Sequence, residues 1–270
     1  MQRLSKHVYL IEGENKGKYP SCNCLFIKDD RSCLIDAGAR DVKEVKPDFI
    51  LNSHWHEDHI MYNCIHDAKI GAHVLDAEAV ESYEEFKKRY GLPSDLVKVF
   101  INFEFRKVDF RFEDDDEYDL GRTKIKVIHT PGHSAGHCCF LVDDSVKILY
   151  LADIDLTSFG PWYGCLDCNI NDFVESIKKM TEIVEREDIE IAVPSHKGMV
   201  VGREKIKTYL QSYMGKIFER DKKILDMLRK GLKREDLVGK GIIYRKFPEP
   251  VKIYEHFEKI MIEKHLERLK

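Results

Sequence analysis

The segment Leu51-Asn-Ser-His-Trp-His-Glu-Asp-His-Ile60 constrains this chain more than any other, because three histidines and Asp58 fall within the six positions 54–59 directly after an apolar run. If Phe49 to Ser53 forms a buried strand, His54 and His56 sit two apart and project to the same side. Two imidazoles on one side make half of a tetrahedral zinc site. As the chain then turns into a helix, Asp58 and His59 swing to a different side, within reach of a second ion. Isolated histidines usually end as surface or hydrogen-bonded core residues, but four candidate ligands in six positions favour metal binding.

Length and charge bound the rest. A chain of 270 residues with 43% hydrophobic content can bury a full core, as one large α/β domain or as a domain with an appendage. The formal net charge of -4 argues against a protein that coats nucleic acid or an anionic membrane over its whole surface. From Arg203 onward the balance reverses, with 19 Lys and Arg against 11 Asp and Glu, which reads as a solvated helical face. The eight cysteines are scattered through apolar, strand-like contexts and no secretory leader is recognisable, so reduced, mostly buried thiols in a cytoplasmic setting are expected. Cys165-Leu-Asp-Cys168 has ligand spacing, yet without a second such pair it reads as incidental or buried. No apolar run is long enough to span a bilayer.

Three strands open the chain, at Val8–Gly13, Cys22–Ile27 and Cys33–Gly38, joined as a meander by Gly- and Asp-rich turns. Asp36 ends the third, placed to orient a neighbouring ligand. Asn23 lies in the second, where it either supports the floor of the site or simply completes the strand. A strand at Lys69–Val74 and a helix at Asp76–Tyr90, stopped by Gly91 and Pro93, follow the histidine-rich loop. Pro93–Phe112 fits neither period and is a candidate cover for the pocket. Glu113–Glu117 reads as a solvated hairpin tip, followed by strands at Lys124–His129, Gly136–Val142, Lys147–Leu151 and Ile189–Val193, with a helix at Asn171–Glu187 before the last. The periodicity from Ile206 to Leu228 and again from Pro250 to Lys270 is helical. Residues 1–203 are therefore expected as one domain and 204–270 as a helical extension or cap.

Three further segments each place a candidate ligand at a strand end: His133 in Thr-Pro-Gly-His, Asp153 after Leu-Tyr-Leu-Ala, and His196 after Val-Pro-Ser. His54-x-His56-x-Asp58-His59, then His133, Asp153 and His196, with Asp36 upstream, resembles the metallo-β-lactamase-fold superfamily of hydrolases over Val8–Gly198. That resemblance implies an αββα sandwich of two mixed sheets flanked by helices. It implies one metal on His54, His56 and His133, a second on Asp58, His59 and His196, and Asp153 bridging them. Zinc is the first choice of ion, and iron and manganese are accepted by the same ligands.

Two such ions can share a water, bring its pKa toward neutrality and supply hydroxide as nucleophile. Asp58 is the candidate catalytic residue, positioning that hydroxide or relaying a proton. Asp36, His137 and Tyr163 are candidates to orient ligands or line the substrate pocket, although structural roles serve His137 and Tyr163 equally well. His7, His66, His73, His129, His256 and His265 lie outside the motif set.

The stretch Thr-Pro-Gly-His-Ser-x-Gly-His is most similar to the glyoxalase II branch, from which the chain departs at Trp55, Glu57 and the basic helical tail. The reading is a hydrolase of small esters, thioesters or lactones. Rivals within the resemblance are a mononuclear-iron persulfide dioxygenase and a phosphodiesterase or nuclease, while a non-catalytic scaffold or electron-transfer protein is the rival from another class. A small molecule is the expected partner, nucleic acid and membrane are disfavoured, and association as a homodimer stays open.

Overall fold

The computed structural model describes residues 1–270 as two β-sheets packed face to face between helices. The first sheet holds seven strands in sequence order: β1 (Gln2–Arg3), β2 (Val8–Ile11), β3 (Cys24–Lys28), β4 (Ser32–Ile35), β5 (Phe49–Asn52), β6 (Lys69–His73) and β7 (Phe110–Phe112). β1 to β4 pair antiparallel and β4 to β7 parallel. In the second, β8 (Glu117–Asp119), β9 (Lys124–His129), β10 (Cys138–Asp143) and β11 (Lys147–Ala152) run antiparallel. Next to β11 lie β12 (Ile191–Pro194), parallel to it, and β13 (Val200–Val201) at the edge. Both sheets are thus mixed, as expected.

Strand alternation explains the layering. Leu25 and Ile27 point between the sheets to meet Val127, Phe140 and Tyr150, whereas Cys24 and Phe26 point outward beneath the helices. The helix Ile170–Arg186 buries Phe173, Ile177, Met180 and Val184 along one face. Each such side chain contributes roughly 1.5–3 kcal/mol on burial. Its Asn169 cap accepts from the Asn171 and Asp172 amides, worth about 1 kcal/mol. The last two helices, Arg203–Arg229 and Val251–Arg268, insert Ile206, Leu210, Ile217, Ile253 and Met261 into the same apolar cluster that holds Phe173 and Ile177.

Two local expectations are corrected. Asp76–Tyr90 is not one helix: Ala77–Glu81 and Tyr83–Tyr90 are separated by Ser82, which is extended and turns its Oγ to accept from the Glu85 amide. The acidic run 113–117 is not a hairpin tip, because β7 and β8 belong to different sheets and the run crosses between them. There Asp114 accepts from the His129 amide and pairs with Lys179, so one of its carboxylates has a structural partner. Pro93–Phe112 packs on the Tyr83–Tyr90 helix, with the Phe100 ring stacked 5.0 Å from Tyr90 and Phe105 5.4 Å from Phe86.

The strand ends gather at one edge of the sandwich. β4 leads into Asp36 and β5 into the Ser53–His56 loop; β9 and β10 are joined through His133, β11 leads into Asp153 and β12 toward His196. Asp36 and Ala152 both adopt positive φ, of 59° and 47°. These turns re-aim the chain where side chains must converge, a conformation costly enough to need surrounding support. At Gly38 any β-carbon would lie 1.5 Å from the Asp58 carbonyl oxygen, so only glycine lets the two loops approach.

Candidate metal centre and active site

Four side chains from three separate loops bring donor atoms together. Nε2 of His54 lies 3.0 Å from Nδ1 of His56 and 3.2 Å from Nε2 of His133, and the latter two are 2.8 Å apart. Asp153 Oδ2 stands 3.1 Å from His133 Nε2. A second group adjoins: Asp153 Oδ1 is 3.0 Å from His59 Nε2 and 3.3 Å from His196 Nε2, which is 3.3 Å from Asp58 Oδ2. The two carboxylate oxygens of Asp153 therefore face different groups of nitrogens.

Most of these side chains are buried, and the second group is left partly uncompensated. His54, His56, His59 and His133 are within 5% exposure, yet Asp58 Oδ2, His59 Nε2 and Asp153 Oδ1 have no hydrogen-bond partner. Orphaned buried polar atoms are expensive, at about 1–3 kcal/mol each or more when charged. Donor atoms this close, three of them unpaired, converge on a common point as a cation requires. An all nitrogen and oxygen set suits a divalent first-row metal.

The opposite ring nitrogens are fastened outside this space. His59 Nδ1 bonds Asp36 at 2.7 Å, His54 Nδ1 meets Ser53 Oγ at 3.0 Å, His133 Nδ1 meets the Trp162 carbonyl at 2.9 Å and His196 Nδ1 the Gly17 carbonyl at 2.7 Å. Such outer partners fix ring orientation and tautomer. Asp36, wholly buried, also accepts from the Ser53 amide, Ser53 Oγ and Tyr150 Oη, each at 2.7 Å. Asp36 thus ties the His59 ring to Ser53 and to Tyr150. Asn23 accepts from Gly13 and donates to the Pro194 and Lys197 carbonyls, bracing the His196 turn.

Electrostatics divide the site. Burial first, then neighbouring imidazoles, holds His54 and His56 well below the ordinary histidine range, leaving them neutral as ligands must be. For His59 and His196 burial works the same way but is overcome by Asp36, Asp153 and Asp58 at His59 and by Asp153 and Asp58 at His196; His59 rises well above its usual range and His196 to about 10. Burial raises the Asp58 carboxyl, His59 and His196 pull it down, Asp153 pushes it up again, and the balance is upward.

The domain signature of this edge is also found by comparison. A model of the metallo-beta-lactamase superfamily matches residues 19–196. The chain belongs to this superfamily. Among relatives, the acyl-coenzyme A thioesterase of Bos taurus is 28% identical over 196 residues, covering 68% of this chain and 67% of that protein. The hydroxyacylglutathione hydrolase of Brucella anthropi is 31% identical over 106 residues, covering 39% of this chain and 32% of its own length. Two superfamily structures share the fold: the protein from Thermus thermophilus (TM-score 0.67, 17% identity, covering 97% of this chain and 93% of its own) and the archaeal protein from Sulfolobus tokodaii (TM-score 0.62, 18% identity, covering 98% and 100%).

Within this superfamily frame, His137 lies behind the converging atoms: its Nδ1 faces the Thr130 carbonyl and its Nε2 accepts from the Asp153 amide at 3.1 Å. Tyr163 does not line a pocket. It is fully buried, and its hydroxyl meets His265 and Arg220 on the last two helices. His129 stacks on His73 at 4.2 Å and bonds the Ala135 carbonyl, outside the centre. Another grouping, Cys22, Asp36 and His59, has its carboxylate already occupied by Ser53, Tyr150 and His59.

Motif reading missed several neighbours. Glu57, buried beside Asp58, accepts from Tyr19 at 2.6 Å and from Tyr90; burial and Asp58 outweigh those bonds and raise it to about 7. Trp162 places its ring 5.5 Å from His56 and 5.8 Å from His133, with Phe257 5.1 Å beyond. Its Nε1 donates to Tyr244, whose ring lies 5.5 Å from Tyr254. The loop carrying Trp162, backed by Tyr244 and by Tyr254 and Phe257 of the final helix, therefore presents an aromatic wall toward the imidazoles. In the sequence only Phe159-Gly-Pro-Trp-Tyr-Gly164 groups such rings, because the other aromatics lie about 80 to 100 positions away.

No helix is long and apolar enough to cross a membrane, and the eight thiols are free, all but Cys64 buried.

Proposed function

We propose that this superfamily member is a metal-dependent hydrolase of small thioesters, with its acyl group held against the aromatic wall. The observation that carries the reading is Asp153, whose two oxygens face two groups of buried nitrogens while three polar atoms of the second group remain unpartnered. His54, His56 and His133 would hold one ion, Asp58, His59 and His196 the other, and Asp153 both; zinc suits this set, with iron or manganese as alternatives. Bound there, divalent ions would acidify a water and polarise a carbonyl oxygen.

The protein's own residues do the rest. Asp36, Ser53 and the Trp162 carbonyl hold the imidazoles in orientation. Asp58, whose Oδ2 lies 3.3 Å from His196 Nε2, would as a carboxylate ligand keep its other oxygen for orienting the attacking water and relaying a proton toward the departing thiol sulfur. Trp162, Tyr244 and Tyr254 exclude water and favour an apolar acyl chain over a charged one. The thioesterase and hydroxyacylglutathione hydrolase relatives support thioesters among the esters and lactones that the fold accommodates.

The test is elemental analysis of the purified protein followed by hydrolysis of acyl thioesters of graded chain length. Two equivalents of metal with thioester cleavage are expected. Sulfite formation from a persulfide by protein containing one iron would overturn the reading in favour of a dioxygenase.

A further inference from the structure

The pair Cys165 and Cys168, with Asp167 between them, touches both loops that carry His54, His56 and His133. Nε2 of His56 lies 3.5 Å from Cys165 Sγ. Because Nδ1 of His56 faces the converging nitrogens, the proton of the neutral ring belongs on Nε2, and the sulfur accepts it. The other four imidazoles rest their outer nitrogen on oxygen; His56 alone rests on sulfur. Cys168 Sγ donates to the His133 carbonyl at 2.8 Å and accepts from the Cys165 amide at 3.3 Å. Oδ2 of Asp167 accepts from Trp55 Nε1 at 3.1 Å and from the Ala135 amide at 3.3 Å. Trp55 lies between His54 and His56, and Ala135 is two residues past His133.

The segment is itself anchored from both sides. Arg89 donates to Asp167 at 3.1 Å and to the buried Asp76 at 2.8 Å, and its carbonyl accepts from the Leu166 amide. Asp76 in turn accepts from Ser134 and from the Gly136 amide. Lys264, on the final helix, donates to the Cys168 carbonyl at 2.7 Å.

We propose that Cys165-Leu166-Asp167-Cys168 is a positioning clasp that fixes the His54, His56 and His133 half of the centre, through one sulfur on His56, one thiol on the His133 backbone and one carboxylate across the two loops. The Asp58, His59 and His196 half is oriented independently, by Asp36 and the Gly17 carbonyl. The clasp is a set of outer partners, and its loss lowers metal affinity at one half only. The two thiols and Asp167 lie close enough together to suggest ligands in their own right, but Arg89 already compensates the carboxylate and the Cys168 proton is committed to a carbonyl. The inference rests on the reading that His54, His56 and His133 hold an ion.

The experiment is chelator competition on full-length protein with zinc and with cobalt, resolving each binding event, alongside melting of every metal-free variant. His56→Ala tests the underlying reading; if both binding events survive it unchanged, that reading falls and the clasp with it. Given that His56→Ala removes one event, Cys165→Val and Asp167→Ala should weaken the same event by about 10- to 100-fold. The other event should keep wild-type affinity. Cys165→Ser, which restores an acceptor, should recover most of the loss, a pattern that a purely packing role would not give. Unchanged affinities in Cys165→Val, or equal weakening of both events, would overturn the clasp. So would a sulfur-to-cobalt charge-transfer band, or a third bound ion, abolished by Cys165→Ser. If Asp167→Ala does not fold, the contrast between Cys165→Val and Cys165→Ser decides the matter alone.

Discussion

The Tyr163 hydroxyl lies 2.6 Å from Nε2 of His265, whose Nδ1 lies 2.6 Å from Asp221. This buried relay fastens the loop after Asp153 to the last two helices. Arg220 adds bonds to the Phe159 and Pro161 carbonyls and to Tyr163 itself. Since the neighbouring Trp162 carbonyl receives His133 Nδ1, the helices beyond residue 203 reach the centre through one loop. Tyr163→Phe leaves Nε2 of His265 without its partner in a buried setting and should cost about 1–3 kcal/mol, read as a lower midpoint in urea unfolding. Bound metal should stay at the wild-type level.

Asp36 gathers four donors in the interior, from Ser53, His59 and Tyr150. Asp36→Ala strands those donors and the facing His59, so a loss of roughly 3–5 kcal/mol is expected, as for removal of one partner of a buried charged pair. Metal analysis should show the deficit at the ion assigned to Asp58, His59 and His196.

Asp153 and His196 should differ in what their removal takes away. Because the Asp153 oxygens face both groups, Asp153→Ala should deplete both ions, whereas His196→Ala should deplete one. Elemental analysis after extensive dialysis distinguishes them; equal depletion in the two variants would contradict a bridging carboxylate.

Acid should loosen the amino-terminal edge. Asp144 accepts from Ser5 Oγ and the His7 amide, and its other oxygen lies 2.8 Å from His7 Nδ1. Partial burial opposes ionisation, but these bonds win and hold its carboxyl down at about 2. A depressed carboxylate contributes stability that is present above its unfolded pKa and is lost as pH falls through the folded value. Asp144→Asn should therefore cost about 1 kcal/mol near neutrality, after allowance for solvent screening. That gap should close as the pH falls from about 4 toward 2, measured by urea unfolding of both proteins.

Tyr244 carries the aromatic wall from Tyr254 to Trp162. In Tyr244→Ala, KM for acyl thioesters should rise by about tenfold, equivalent to ~1.4 kcal/mol, with kcat changed much less.

Much of the centre was legible because its donors are punctuated by local pattern. His54, His133, Asp153 and His196 each follow an apolar strand, and period-two alternation found those strands. The helix break at Ser82 was not legible, since an apolar stripe continues across it and only the Ser82 capping geometry interrupts the backbone. The acidic run 113–117 looked like a hairpin tip because adjacent strands usually pair, whereas here the chain changes sheets.

The sequence by itself determined most of the longer strands and helices, the superfamily and the residue types available to hold a metal, because these depend on periodicity, turn chemistry and close spacing. Tertiary structure alone decided which nitrogen of each histidine faces inward, that Tyr163 belongs to a relay with His265 rather than to the pocket, and that Cys165 rests against His56. Those choices depend on contacts between residues tens to more than a hundred positions apart. No local pattern encodes such distances; packing two sheets and their helices around one edge does.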